Sequence, residues 1–180
     1  YPIEDLALRH SFVDAARRST QTLARRLADD GYGEVVVVVG TLDRDADVTD
    51  GLGVPKGAPQ NVAAVLHRGD VVARYAKHHL PNYGVFDEAR YFVPGDSPLV
   101  VPVDGVDVAV AICEDLWQDG GPVAWTRASG APVLAVLNAS PYERDKDDVR
   151  LALCQQRARE SGAVLLYVNL VGGQDELVFD

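Results

Sequence analysis

The chain has 180 residues, 47% of them hydrophobic, which is enough for one sizeable core and short for two. A formal net charge of −10 argues against nucleic acid or an anionic membrane as partner. Two cysteines, Cys113 and Cys154, are too few for a disulfide scaffold, and apolar runs such as Val35 to Val39 are far too short to span a bilayer.

Taken in chain order, Ser11-x-x-Asp14 resembles a capping box, opening a helix with Phe12, Ala16, Leu23 and Leu27 on one face and Gly31 as its stop. Glu34 to Gly40 is expected to be a buried strand, and 41–60 a long loop. Asn61 to Leu66 and Val71 to Ala76 are two short strands joined by His67-Arg-Gly-Asp70, a hairpin signal. Leu80 to Pro94 is irregular and aromatic-rich. Strand Val106–Ile112 leads to Cys113. A short helix near Pro122–Ser129 ends at Gly130, and Pro132 to Asn138 is another buried strand. A helix over Asp145–Ser161 carries Asp145, Asp147 and Asp148 at its positive end, and Ala163 to Val171 is the last strand. Strands alternating with helices indicate a layered α/β fold, expected as one domain over 1–180. No signal peptide is visible, so the expected location is cytoplasmic. A start at Tyr1 and the absence of methionine are expected of a piece cut from a longer protein.

Two blocks carry chemistry. Val108-Ala-Val-Ala-Ile-Cys-Glu-Asp-Leu-Trp117 is a strand that ends in a cysteine followed by two carboxylates. The carboxyl end of a central strand is where open α/β sheets place ligands, so Cys113 is either a nucleophile or a buried structural cysteine. Tyr75-Ala-Lys77 closes a strand in the same way. A lysine at such a rim would favour a thiolate and stabilise an oxyanion; otherwise it is a solvated strand-end lysine. Tyr83, Phe86, Tyr91 and Phe92 form either a pocket wall or plain core. His78 and His79, as strand neighbours, point to opposite faces, and no metal site is expected. Asp43, Asp45, Asp47 and Asp50 fail as a calcium loop because Val48 and Val54 stand at the glycine and glutamate positions. Gly51, Gly53, Lys56 and Gly57 do not fit a phosphate loop, and Cys154 is helix packing.

Lys77-His-His-Leu-Pro-Asn-Tyr-Gly-Val-Phe-Asp-Glu-Ala-Arg-Tyr-Phe92, Ala111-Ile-Cys-Glu-Asp-Leu-Trp117, Asn138-Ala-Ser-Pro-Tyr142 and Tyr167-Val-Asn-Leu-Val-Gly-Gly-Gln-Asp-Glu-Leu-Val-Phe-Asp180 together resemble the glutaminase part of glutamine-dependent NAD⁺ synthetases, within the nitrilase (carbon–nitrogen hydrolase) superfamily. Tyr1-Pro-Ile-Glu-Asp-Leu6 resembles the segment directly after that family's glutamate strand. The resemblance implies an α/β fold, a four-layer α-β-β-α sandwich of which this chain is an incomplete part, and a Glu-Lys-Cys triad. It makes Cys113 the nucleophile and Lys77 the oxyanion-stabilising lysine. The backbone N–H of Glu114 becomes a second oxyanion donor, and Glu88 a carboxylate that orients Lys77. Tyr83, Phe86 and Ser140 are implied to line the glutamine pocket, with Glu114 also able to meet the α-ammonium.

The third triad member, a general-base glutamate, is implied on a strand before the segment matching Tyr1–Leu6. Glu4 lies after that position, so the chain alone is expected to be inactive or impaired. The resemblance implies no cofactor here. ATP, Mg²⁺ and deamido-NAD would belong to a C-terminal synthetase domain beyond Asp180, because no Ser-Gly-Gly-x-Asp-Ser loop occurs and Gly172-Gly-Gln-Asp175 lacks its serines. Its implied partners are glutamine, that synthetase domain and further copies of the parent protein in a homo-oligomer. A stand-alone amidase acting on another small amide and a non-catalytic α/β interaction module are the alternative readings.

Overall fold

A computed structural model describes residues 3–48 and 51–180; Tyr1, Pro2 and Asp50 of the motifs above lie outside that range. The chain divides into two compact units, one up to Ser97 and the other from Pro98 to Asp180.

The first unit opens with a 3₁₀ turn, Glu4–Leu8, that runs into helix α1 (His10–Leu27). The expected capping box does not form. The preceding turn places Arg9 at the N-cap, whose carbonyl accepts from the N–H groups of Phe12 and Val13, and no side chain caps the helix. The buried face is also one step away from the expected one. Val13, Thr20 and Ala24 are buried, whereas Phe12 and Leu23 are exposed; Ala16 and Leu27 do pack inward. Small residues at 20 and 24 let the helix sit close to the sheet, and Thr20 satisfies its hydroxyl on the Ala16 carbonyl and the Thr41 hydroxyl. A π-helical turn over Ala28–Tyr32, broken by Gly31 at φ 89°, ends the helical segment.

Three strands follow as an antiparallel meander: β1 (Val37–Arg44), β2 (Pro59–His67) and β3 (Asp70–Ala76), with β2 in the centre. β1 starts and ends later than expected. Thr41 to Arg44 pair with Val62 to Pro59 rather than opening a loop, and Pro59 is tolerated because it begins its strand. The expected hairpin is present. Arg68 (φ 49°) and Gly69 (φ 85°) are both left-handed, as a two-residue type I′ turn requires. Helix α1 packs across this sheet, with Ala24, Ala64 and Leu66 at the centre of the contact. A one-turn helix, α2 (Glu88–Tyr91), stands in the aromatic segment.

The second unit holds a four-stranded sheet in the order β4 (Val100–Val103), β5 (Val106–Ile112), β6 (Val133–Asn138), β7 (Val164–Asn169). β5, β6 and β7 are parallel, and β4 is an antiparallel edge. The sequence hides β4 because Pro102 interrupts it; at a sheet edge that proline costs no ladder bond. Helices α3 (Glu114–Trp117), α4 (Gly121–Ser129) and α5 (Lys146–Ser161) connect these strands. They help build a core of Ala109, Ala111, Leu116, Val123, Leu134 and Val136, against which Cys154 and Tyr167 pack. Glycines 130 and 162, both left-handed, stop α4 and α5. The last expected strand ends at Asn169 instead of Val171, and a separate hairpin follows: β8 (Gly172–Gln174) and β9 (Leu177–Phe179). The α/β class holds in both units.

Candidate active site

In the second unit the informative point is the junction of β5 and α3. Cys113 continues the parallel ladder by donating its N–H to the Leu137 carbonyl at 2.9 Å. The chain then turns sharply. Cys113 sits at φ 45°, ψ −96° and is the N-cap residue of α3. A cysteine with positive φ is a strained conformation, kept only where its surroundings over-determine it, and such strain concentrates at functional sites. Two buried residues fix this elbow. Asp115 accepts from the Ile112 N–H at 2.9 Å, locking the last strand residue to the first turn of the helix. Arg157 of α5 donates Nε to the Leu116 carbonyl at 2.7 Å and a terminal nitrogen to the Trp117 carbonyl at 3.1 Å, capping the far end of α3. Glu114 is buried and accepts from Gln118 at 3.0 Å. Neither Cys113 nor Cys154 forms a disulfide; burial pushes the Cys154 thiol up.

Parallel strands β6 and β7 end nearby in a polar layer. Asn138 and Asn169 face each other in register. Asn169 accepts from the Ser140 N–H and donates to its carbonyl. Ser140 is buried, and its hydroxyl lies 3.3 Å from the guanidinium of Arg150, which also meets the Ser140 and Pro141 carbonyls and Asp180. Tyr167, one register step before Val168, is pushed up to about 12, first by burial and then by the neighbouring Cys113.

In the first unit Lys77 follows the last residue of β3 and is 1% exposed. A lysine so buried requires a counter-charge. Glu88, at the start of α2, supplies it: Nζ lies 2.8 and 2.9 Å from the two carboxylate oxygens. Asn61 of β2 donates to the same carboxylate and accepts the Lys77 N–H through its own carbonyl. Gly95 closes the other side by donating its N–H to the Lys77 carbonyl. A Cβ at Gly95 would collide with the carbonyl of Ala76, so only glycine passes there.

Tyr83 and Phe86 form an edge-to-face pair 6.1 Å apart in the turn before α2, with Tyr83 exposed. Phe92 is instead core, packed with Ala7, Val13 and Leu42, and Tyr91 leans on that cluster. His78 and His79 do not point to opposite faces. β3 ends at Ala76, strand alternation no longer applies, and the two rings meet edge-on at 4.5 Å.

The structure therefore joins Lys77 to Glu88 and Tyr83 to Phe86, and sets Ser140 against Arg150. Asn61, Arg150 and Arg157 carry no local sequence signal, because they act on segments distant in the chain, whereas Asp115, one of the two carboxylates after Cys113, acts on Ile112 three residues before it. Among the described residues no group of three or more His, Cys, Asp or Glu side chains is arranged to hold a metal ion. Gly172 to Asp175 do not fit a nucleotide loop either, since Gly172–Gln174 is a hairpin strand with no helix behind it. Among the described residues no helix is long and apolar enough to cross a membrane.

The chain is 47% identical over 182 residues to the glutamine-dependent NAD(+) synthetase of Xanthomonas campestris, which it matches along its full length while spanning 30% of that relative. Its fold superposes on the glutamine-dependent NAD⁺ synthetase of Acinetobacter baumannii with a TM-score of 0.82 and 37% identity, over 100% of this chain and 31% of that one. It also superposes on an amidase from Nesterenkonia sp. AN1 whose active-site cysteine carries the Michael adduct of acrylamide. There the TM-score is 0.73 and the identity 28%, over 100% of this chain and 64% of that one. Residues 15–179 match the carbon-nitrogen hydrolase family, and the chain belongs to that family.

Proposed function

We propose that these residues carry the amide-hydrolysing half of a glutamine-dependent NAD⁺ synthetase. The observation that carries the proposal is the strained, doubly anchored elbow at Cys113, at the carboxyl end of a parallel strand. The Cys113 sulfur attacks the side-chain carbonyl carbon of glutamine. The carbonyl oxygen takes up negative charge, and the family resemblance assigns the Lys77 ammonium and the Glu114 backbone N–H to stabilising it. Collapse of the tetrahedral species expels the amide nitrogen as ammonia, which keeps its two hydrogens and gains the thiol proton. A thioester remains, and water hydrolyses it to glutamate and the free thiol. Glu88 holds the Lys77 Nζ in place through both carboxylate oxygens. Tyr83, Phe86 and Ser140 contribute to binding glutamine, and Glu114 to recognising its α-ammonium. The proton shuttle belongs to a glutamate that the family resemblance places outside these residues; Glu4 is not assigned that role.

The relatives' names support the substrate. By the same reasoning the released ammonia serves ATP- and Mg²⁺-dependent amidation of deamido-NAD in a C-terminal synthetase domain, within a cytoplasmic homo-oligomer. Residues 1–180 are then part of a carbon–nitrogen hydrolase domain and take none of the steps that use ATP. The test is ammonia release from glutamine by a polypeptide extending these 180 residues at both ends, against its Cys113→Ala version. Release that disappears on substitution supports the proposal. The amidase likeness favours a second reading, a hydrolase of another small amide. Turnover of such an amide with none of glutamine selects that reading instead.

A further inference from the structure

Away from these residues, the first unit contains a cavity of about 320 Å³ between α1 and the sheet, lined by Asp14, Arg17, Arg18, Gln21, Asp43 and Arg74 among others. The first four recur at 14, 17, 18 and 21, so they share one face of α1. Asp43 of β1 is buried, and two arginines bracket it. Arg17 Nε lies 3.0 Å from one carboxylate oxygen, and Arg74 Nε, reaching from β3, lies 2.8 Å from the other. Each guanidinium approaches the carboxylate through its Nε, and both arginine side chains stay about half exposed, 51% for Arg17 and 48% for Arg74. Among the described residues Arg18 has no ion pair there, and it adds a third cation. Three arginines and two aspartates line the cavity, and a third carboxylate, Asp70, accepts from the lining Gln21 at its rim.

We propose that this cavity is a binding site for a phosphate-type oxyanion, separate from the residues assigned to amide hydrolysis. A carboxylate that fixes two guanidiniums from opposite sides performs in advance the ordering that anion binding otherwise requires. The two guanidiniums come from separate elements, helix and strand, and suit an anion with several oxygens rather than one flat carboxylate fork. The volume admits a phosphate with a small group attached.

The test follows the melting temperature of the chain in potassium phosphate against potassium chloride at equal ionic strength, which removes general screening. A saturable rise specific to phosphate is expected, and Arg17→Gln with Arg74→Gln should weaken it at least about tenfold. If that double variant does not fold, Arg18→Glu reverses one charge without breaking a contact and is expected to weaken phosphate by a similar factor. A rise that never saturates (an adventitious ion only), one the variants leave unchanged, or acetate binding as tightly as phosphate would each overturn the proposal.

Discussion

Cys113 and Lys77 obtain their settings by different physics. The cysteine is held by backbone strain, at φ 45°, inside a frame of main-chain hydrogen bonds. The lysine is held by charge, 1% exposed on a two-oxygen contact with Glu88. Removing only the carboxylate leaves a buried ammonium without its counter-ion. Glu88→Gln is therefore expected to lower stability by about 3 kcal/mol in urea unfolding. Lys77→Met combined with Glu88→Leu should recover part of that loss while still abolishing amide hydrolysis, which separates the structural from the chemical role of the pair. Lys77 and Cys113 stand out in the sequence because each terminates an apolar strand. The Glu88 contact does not follow from its position eleven residues after Lys77; the irregular chain between them could end anywhere. The aromatic residues were likewise ambiguous. Phe92 went to the core and Tyr83 to the surface, a division that composition cannot foretell.

At the scale of elements, the buried strands and the long helices are readable because their periodicity is strong. The hairpin at Arg68-Gly69 and the helix stops at Gly130 and Gly162 are readable because their backbone angles demand those residues. The failures arise where a neighbouring turn or a tertiary partner outweighed a local signal. Arg9 replaced Ser11 as cap because a 3₁₀ turn ran into the helix, and β4 formed through Pro102 because it is an edge. Two such partners control the candidate site. Arg157→Ala removes the donors that satisfy the Leu116 and Trp117 carbonyls, each worth about 1–3 kcal/mol if left buried and unpaired. Slower alkylation of Cys113 with that of Cys154 unchanged is the expected outcome, measured by mass spectrometry. Gly95→Ala drives a methyl group into the Ala76 carbonyl and should cost about 1–3 kcal/mol, with the Lys77 segment displaced. Unaltered stability and activity in that variant would show that the Gly95 strap does not position Lys77.

For the molecule as a whole, the same frame predicts its behaviour in alkali. The Tyr167 phenol titrates at about 12 in the folded chain, above the ordinary value of about 10, because burial disfavours the phenolate. A raised folded value means that the stabilisation is fully present below pH 10 and is lost as pH climbs from about 10 to about 12. Unfolding free energy should fall across that window, and Tyr167→Phe should flatten this part of the fall. Both cysteines serve as a control for the central chemistry, since one sits at a strained elbow and the other within a helix. The decisive measurement is covalent labelling by a glutamine-shaped diazoketone, mapped by mass spectrometry in the chain extended at both ends. One adduct is expected, on Cys113, formed far faster than on Cys154 and suppressed by glutamine. Equal labelling of both cysteines, or labelling that glutamine does not slow, would contradict the assignment of Cys113 as the nucleophile toward that amide.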